Sequence, residues 1–233
     1  MPTAQEINTL KNKNPQDQSY GDKTIPTVSQ NNLLPLNQQS SSFEFDWEQF
    51  PEKYANTAPL GLISFGMTFL MLAFYNVNLY KMNSMIMGMG IFDGGMTQFI
   101  AGTFEIREGH TFGGTVFCSL GAFWWSYCTI IFGPFLFGTE SVNGKAFGTY
   151  FLFWCVFALF MLAALLKHGT ISEKTMFASM ALTFLFLSIS EYADSIVVKR
   201  IGGGFGLFCG LVAIYAGLAQ VINGDQGSTV LPL

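Results

Sequence analysis

The chain has 233 residues, of which 50% are hydrophobic and 11% are charged, and 25 are phenylalanine. The usual charged fraction is about a quarter, so this composition argues against one or two soluble domains. The formal charge of -4 comes without a basic patch carrying interleaved aromatics, which argues against a nucleic-acid partner.

Residues 1–42 are rich in Asn, Gln, Ser and Pro, as in QNNLLPLNQQSSS. Such a segment buries too little apolar surface to offset its ordering entropy, and it reads as a disordered tail. Its start, MPTAQEINTLKNKNPQDQSYG, holds no apolar core of a secretory signal, so insertion is expected to rely on the first spanning helix. Residues 43–55, FEFDWEQFPEKYA, mix aromatics with acids. They suit either an interfacial helix or a tail packed on the loops.

From Asn56 the chain changes character. Six apolar runs, about 59–79, 84–105, 112–135, 147–167, 174–192 and 201–222, each approach the ~20 residues that cross a hydrocarbon core. They are too long for barrel strands and do not alternate polar with apolar. The expected fold is an all-α membrane protein with six transmembrane helices over residues 56–233. An even number of spans puts both termini on one side, and the slight lysine excess near the N-terminus points to the cytoplasm.

In the first run Gly61, Phe65, Thr68, Leu72 and Tyr75 or Asn76 share a face. Periodicity alone leaves open whether that face lines a path or simply packs. In the second run, IFDGGMTQFIAGTFE, steps of four, three and four put Gly94, Gln98, Ala101 and Glu105 in one line. At 100° per residue Asp93 falls about 140° from Gln98. An ionised Asp at that depth costs about 2.5–3.5 kcal/mol on lenient scales. Asp93 therefore faces a cavity, a partner helix or another subunit, or is protonated. Glycines 88, 95 and 102, and in the last run Gly202, Gly206, Gly210, Ala213 and Gly217, form small-residue stripes for close helix packing.

Cys118, Cys128, Cys155 and Cys209 each lie within an apolar run without CxxC spacing, and the histidines number two, His110 and His168. Small buried thiols are expected, with no metal site and no cofactor. No nucleophile–base pair or phosphate loop stands at a useful depth, so an enzyme is not expected. No lysine or arginine lies deep in a run, which favours a neutral molecule, a protonated weak acid or a carboxylate that passes quickly.

Several motifs then occur in order: NTAPLGL at Asn56–Leu62, GGMTQFIAGTFE, GHTFGG, FCSLGAFW, YFLFWCVFALFM and the terminal STVLPL. Together they resemble the acetate uptake transporter family, the acetate and succinate permeases of microbes, over about residues 56–233. The resemblance implies six helices per protomer, a hexamer, and a narrow path through each protomer. Short carboxylates would cross with protons or by a channel-like route. It implies a constriction at Phe65, Leu120 and Leu182, the last by a looser match. Asn56 would cap the first helix and shape the entrance. Thr68, Gln98 and Ser119 would supply hydrogen bonds, and Glu105 would mark the end of the path.

Against the family pattern, Thr57 replaces a proline, His110 replaces the Asn of GNTF, Leu120 replaces a tyrosine, and Asp93 stands where an aromatic or apolar residue is more usual. Asp93 and His110 are the candidates for proton linkage. The expectation is a plasma-membrane transporter for acetate-like monocarboxylates. Its partners would be the acid, protons, the bilayer and further copies of the chain. Two rivals stay open: export of ammonium or ammonia, which Asp93 and Glu105 suit, and a non-transporting sensor or scaffold.

Overall fold

The structure, a computed structural model, describes residues 55–81, 84–226 and 230–232. The expected tail at 1–42 and nearly all of the segment at 43–55 lie outside the described residues.

Six helical spans follow one another. They are α1 (Ala58–Asn76), α2 (in three consecutive pieces, Ser84–Gly88, Met89–Thr97 and Gln98–Arg107), α3 (Thr111–Phe137), α4 (Gly144–Leu165), α5 (Ile171–Ala193) and α6 (Ile196–Gln226). Five of them are each long and apolar enough to cross a membrane, and the segmented α2 is the sixth. Among the described residues there is no strand. The chain is an all-helical, multi-pass membrane protein.

The helix ends have local causes. Asn56 Oδ1 accepts the Ala58 N–H at 3.1 Å, and Pro59 sits in the first turn of α1, where a missing N–H costs nothing. Asn143 caps α4 through the Ala146 N–H. Thr170 and Glu173 form a reciprocal capping box at the start of α5. Gly138 ends α3 with φ +65°, a left-handed conformation that suits glycine. In the last turns of α6, Asn223 Oδ1 accepts from the Val230 and Leu231 N–H groups.

Packing pairs α1 with α6, α6 with α5, α5 with α4, and α2 with α3 and α1. At the α1–α6 crossing, a Cβ on Gly66 would lie 2.9 Å from the Gly210 carbonyl oxygen. The small-residue stripe of the last run therefore sets that close approach, as van der Waals packing in lipid requires. Gly95 and Gly102 likewise meet α3, whereas Gly88 has open space beside it.

The middle piece of α2, Met89–Thr97, is a π-helix. Its wide turns close N–H groups onto carbonyls five residues back, and the Gln98 N–H reaches the Asp93 carbonyl. Side chains hold the geometry. Trp125 Nε1 donates to the Ile91 carbonyl at 3.2 Å, and Thr97 Oγ1 donates to the Phe92 carbonyl at 3.0 Å. Gly95 has no Cβ, which leaves room for the Trp125 indole.

Candidate functional site: a layered path between the helices

Four levels can be followed from the N-terminal end of α1 inward. At the mouth, Asn56 Nδ2 donates to Gln220 Oε1 at 3.2 Å. An open groove there is lined by Asn56, Glu108, His110 and Gln220. Glu105, 3% exposed, accepts from Thr57 Oγ1 at 2.6 Å and faces His110 Nδ1 at 3.2 Å. Two of the departures from the family pattern, Thr57 and His110, thus converge on one carboxylate. His110 also lies 3.6 Å from Glu108. Asn56 and Glu105 both lie near the N-terminal end of α1.

Behind the mouth lies a cavity of about 130 Å³, walled by Leu62, Glu105, Val116, Phe117, Met176 and Phe177 among others. Phe112 and Phe177 close it edge to face, with ring centroids 5.9 Å apart.

The third level is dry. Phe65 and Leu120 are each 1% exposed, and Gln98 is 0% exposed. They share a level because α2 runs antiparallel to α1. Glu105 meets Thr57, and Asp93 meets Thr68, so Gln98 falls opposite Ser64 and Phe65. Leu120 is one turn from Trp124, whose ring meets Phe69, itself one turn beyond Phe65. Gln98 is the polar member of this layer. Neither its Oε1 nor its Nε2 has a hydrogen-bond partner.

The expected third member, Leu182, is elsewhere. It is 38% exposed, whereas Met180 and Phe184 are each 0% exposed. Buried positions on α5 run through Met176, Met180, Thr183, Phe184 and Leu187. Two residues rotate a helix by about 200°, so Leu182 points out when Met180 points in. Phe184 packs edge to face on Phe69 at 5.9 Å, which puts Met180, one turn nearer the mouth, level with Phe65.

The fourth level is an aromatic plug. Phe69, Phe123, Trp124 and Phe184 contact one another at centroid distances of 5.1 to 6.4 Å. Polar groups border it. Thr68, 1% exposed, donates to Asp93 Oδ2 at 3.0 Å. Trp124 Nε1 is buried without a partner. A Cβ on Gly94 would lie 2.6 Å from Trp124 Cδ1 and 2.8 Å from Thr68 Cγ2, so both side chains sit against this glycine. At the far end Lys199 lies over the Tyr75 ring and 3.7 Å from Glu191.

Ser119, on α3, is half-buried. Trp124 and Met180 were not legible as site residues. The indole looks like packing until its N–H is found unpartnered, and Met180 is one apolar residue among many. Among the described residues, Glu105, Glu108 and His110 alone group ligand-type atoms closely enough to hold a metal ion. His110 Nδ1 lies between the two carboxylates, 3.2 Å from Glu105 and 3.6 Å from Glu108.

A stack of buried aromatics, interrupted by isolated polar groups and enclosed by lipid-length helices, defines a multi-pass transporter or channel. The chain belongs to the GPR1/FUN34/yaaH family, whose model matches residues 42–233. It is 40% identical over 181 residues to the succinate-acetate/proton symporter SatP of Escherichia coli, covering 78% of this chain and 96% of that one. It is 37% identical to ammonia transport outward protein 2 of Saccharomyces cerevisiae, covering 73% and 64% of the two chains. The structure superposes on that of the bacterial acetate channel SatP with a TM-score of 0.76 at 40% identity, covering 78% and 99%. Members of the family are transporters and channels, not enzymes.

Proposed function

We propose that this chain carries acetate and similar short monocarboxylic acids across a membrane together with a proton. The observation that carries the reading is Gln98, fully buried in an apolar layer with both polar atoms unpartnered. An amide donates and accepts, and a protonated carboxyl group needs one of each. Around it Phe65, Leu120 and Met180 offer no solvation to an ion, whose transfer into such a layer is far more costly than that of a neutral acid. The acid therefore crosses the dry layer in its neutral form, and Trp124 Nε1 is the next donor along the path. Thr68 and Ser119 extend the polar track, and Met180 takes the gate position expected of Leu182.

The names of the relatives support the substrate class. Six copies side by side, each with its own path, follow the resemblance, and the apolar outer face of α4 suits such packing. The plasma membrane and cytoplasmic termini complete the reading.

The rival reading, prompted by the S. cerevisiae relative named for ammonia export and by Asp93 and Glu105 near the path, is that ammonia is the cargo in place of the acid. Proteoliposomes separate the two. Labelled acetate uptake is expected to rise as external pH falls from 7 to 5 and to collapse with a protonophore, while ammonia release stays at the protein-free background. Uptake that is flat over this range refutes proton coupling, and flux of ammonia alone refutes the acid.

A further inference from the structure

Asp93 is the carboxylate that the path does not yet use, and its position depends on the π-helix. On a regular α-helix it would stand on a different face from Gln98. Across Met89–Thr97 the Gln98 N–H bonds to the Asp93 carbonyl, so Asp93 lies one wide turn beneath Gln98. Its side chain is half-buried and turns toward α1. Oδ2 accepts from Thr68 Oγ1 at 3.0 Å, and Thr68 is 1% exposed on the path face of α1. Gly94 leaves the space in which Thr68 and Trp124 close around that point. The outer face of the same helix is apolar and separate, with Phe92, Met96 and Ile100 exposed.

Ionisable neighbours are few. On α1, Thr68 is the polar contact, with Tyr75 two turns farther on. On α3 the nearest titratable side chains are Cys128 and Tyr127, toward the far end. On α2 itself the next carboxylate is Glu105, at the mouth and held by Thr57 and His110. Glu191 and Lys199 pair with each other at the opposite end. Among the described residues no cation forms an ion pair with Asp93.

We propose that Asp93 is the group that binds the co-transported proton, with Thr68 fixing its carboxyl beside the substrate layer at Gln98. This rests on the acid-transport reading above. The neutral acid passes Gln98 and gives its proton to an Asp93 carboxylate oxygen, so the acid's O–H bond breaks and an Asp93 O–H bond forms while Thr68 continues to donate to Oδ2. The acid then leaves as its anion and Asp93 releases the proton to water on the far side, so one proton crosses per acid and Asp93 returns to its carboxylate. A fixed proton at this depth removes the charge that mid-membrane burial penalises. The ionised Asp93 carboxylate is, in turn, the acceptor to which the substrate sheds its proton.

The test compares wild type, Asp93→Asn and Asp93→Glu in proteoliposomes. It reads net acetate uptake at external pH 5 to 7, acetate-linked proton entry with a trapped pH dye, and acetate exchange at equal pH on both sides. Asn keeps the shape of the protonated carboxyl and can still accept from Thr68. The expected result is that Asp93→Asn retains exchange within about threefold, while net uptake at pH 5 and the proton entry that accompanies it both fall at least fivefold. Asp93→Glu is expected to restore part of the proton entry. An Asp93→Asn protein with wild-type net uptake and proton entry overturns the assignment. So does one that is correctly assembled by size-exclusion chromatography but loses exchange together with uptake. Wild type that moves no acetate at all overturns the transport reading itself and takes the assignment with it, which distinguishes the two failures.

Discussion

Gln98→Leu is the substitution whose two consequences run in opposite directions. The side chain is 0% exposed, and neither amide atom has a protein partner. An unsatisfied buried polar group costs about 1–3 kcal/mol, and leucine fills a similar volume without it. The variant is therefore expected to be more stable than wild type. At roughly 2–4 °C per kcal/mol for chains of this size, its thermal midpoint in detergent should rise by at least about 2 °C. Transport should move the other way. If the amide makes one or two hydrogen bonds to the crossing acid, each is worth about 1 kcal/mol or slightly more. With 1.4 kcal/mol per factor of ten, uptake of labelled acetate falls roughly 10- to 100-fold. A Gln98→Leu protein that melts lower than wild type and transports at the wild-type rate refutes both parts of the reasoning. The amide would then be a structural group.

Gly94→Ala places a methyl 2.6 Å from Trp124 Cδ1 and 2.8 Å from Thr68 Cγ2. Overpacking of this kind costs about 1–3 kcal/mol. We expect a lower thermal midpoint and a loss of acetate uptake larger than that for an alanine at Gly88, which has open space beside it. Leu120→Tyr adds a phenol to a gate residue that is 1% exposed. A panel of C1 to C4 acids is expected to show a shifted size preference, and an unchanged profile would remove Leu120 from the gate.

Much of this architecture was legible in the sequence because lipid imposes length and apolarity together. The run expected at about 112–135 is the helix Thr111–Phe137, and the run at 174–192 is Ile171–Ala193. The line Gly94, Gln98, Ala101 and Glu105 is buried throughout. Its last two steps and Gln98 itself belong to regular α-helix, where 100° per residue holds. Asp93 was misplaced because the same rotation was applied across a π-helix, and no propensity argument foretells one. The bonds that hold it come from Trp125 and Thr97 to specific carbonyls, a tertiary matter. Leu182 failed for a different reason. In a segment reading MALTFLF every residue is apolar or nearly so, and hydrophobicity cannot tell the inward stripe from the outward one. The exposed residues of a lipid-facing helix are as apolar as its core. The convergence of Thr57 and His110 on Glu105 was equally hidden, since the hydroxyl precedes α1 and the imidazole precedes α3.

The π-helix of α2 has a genetic consequence. Relative to regular α-helix, a wide turn amounts to one surplus residue, so removing one residue between Met89 and Thr97 should let the ladder relapse to bonds four residues apart. What precedes the deletion would keep nearly the same bearing, because five residues of wide turn and four of regular helix both come back to about the same face. A deletion on the Met89 side of Asp93 would leave it five residues of regular helix before Gln98, about 140° away, and so swing that carboxylate off Thr68 while leaving Gln98, Ala101 and Glu105 in place. A single lost codon would then disconnect one end of the path from the other without removing a single path residue.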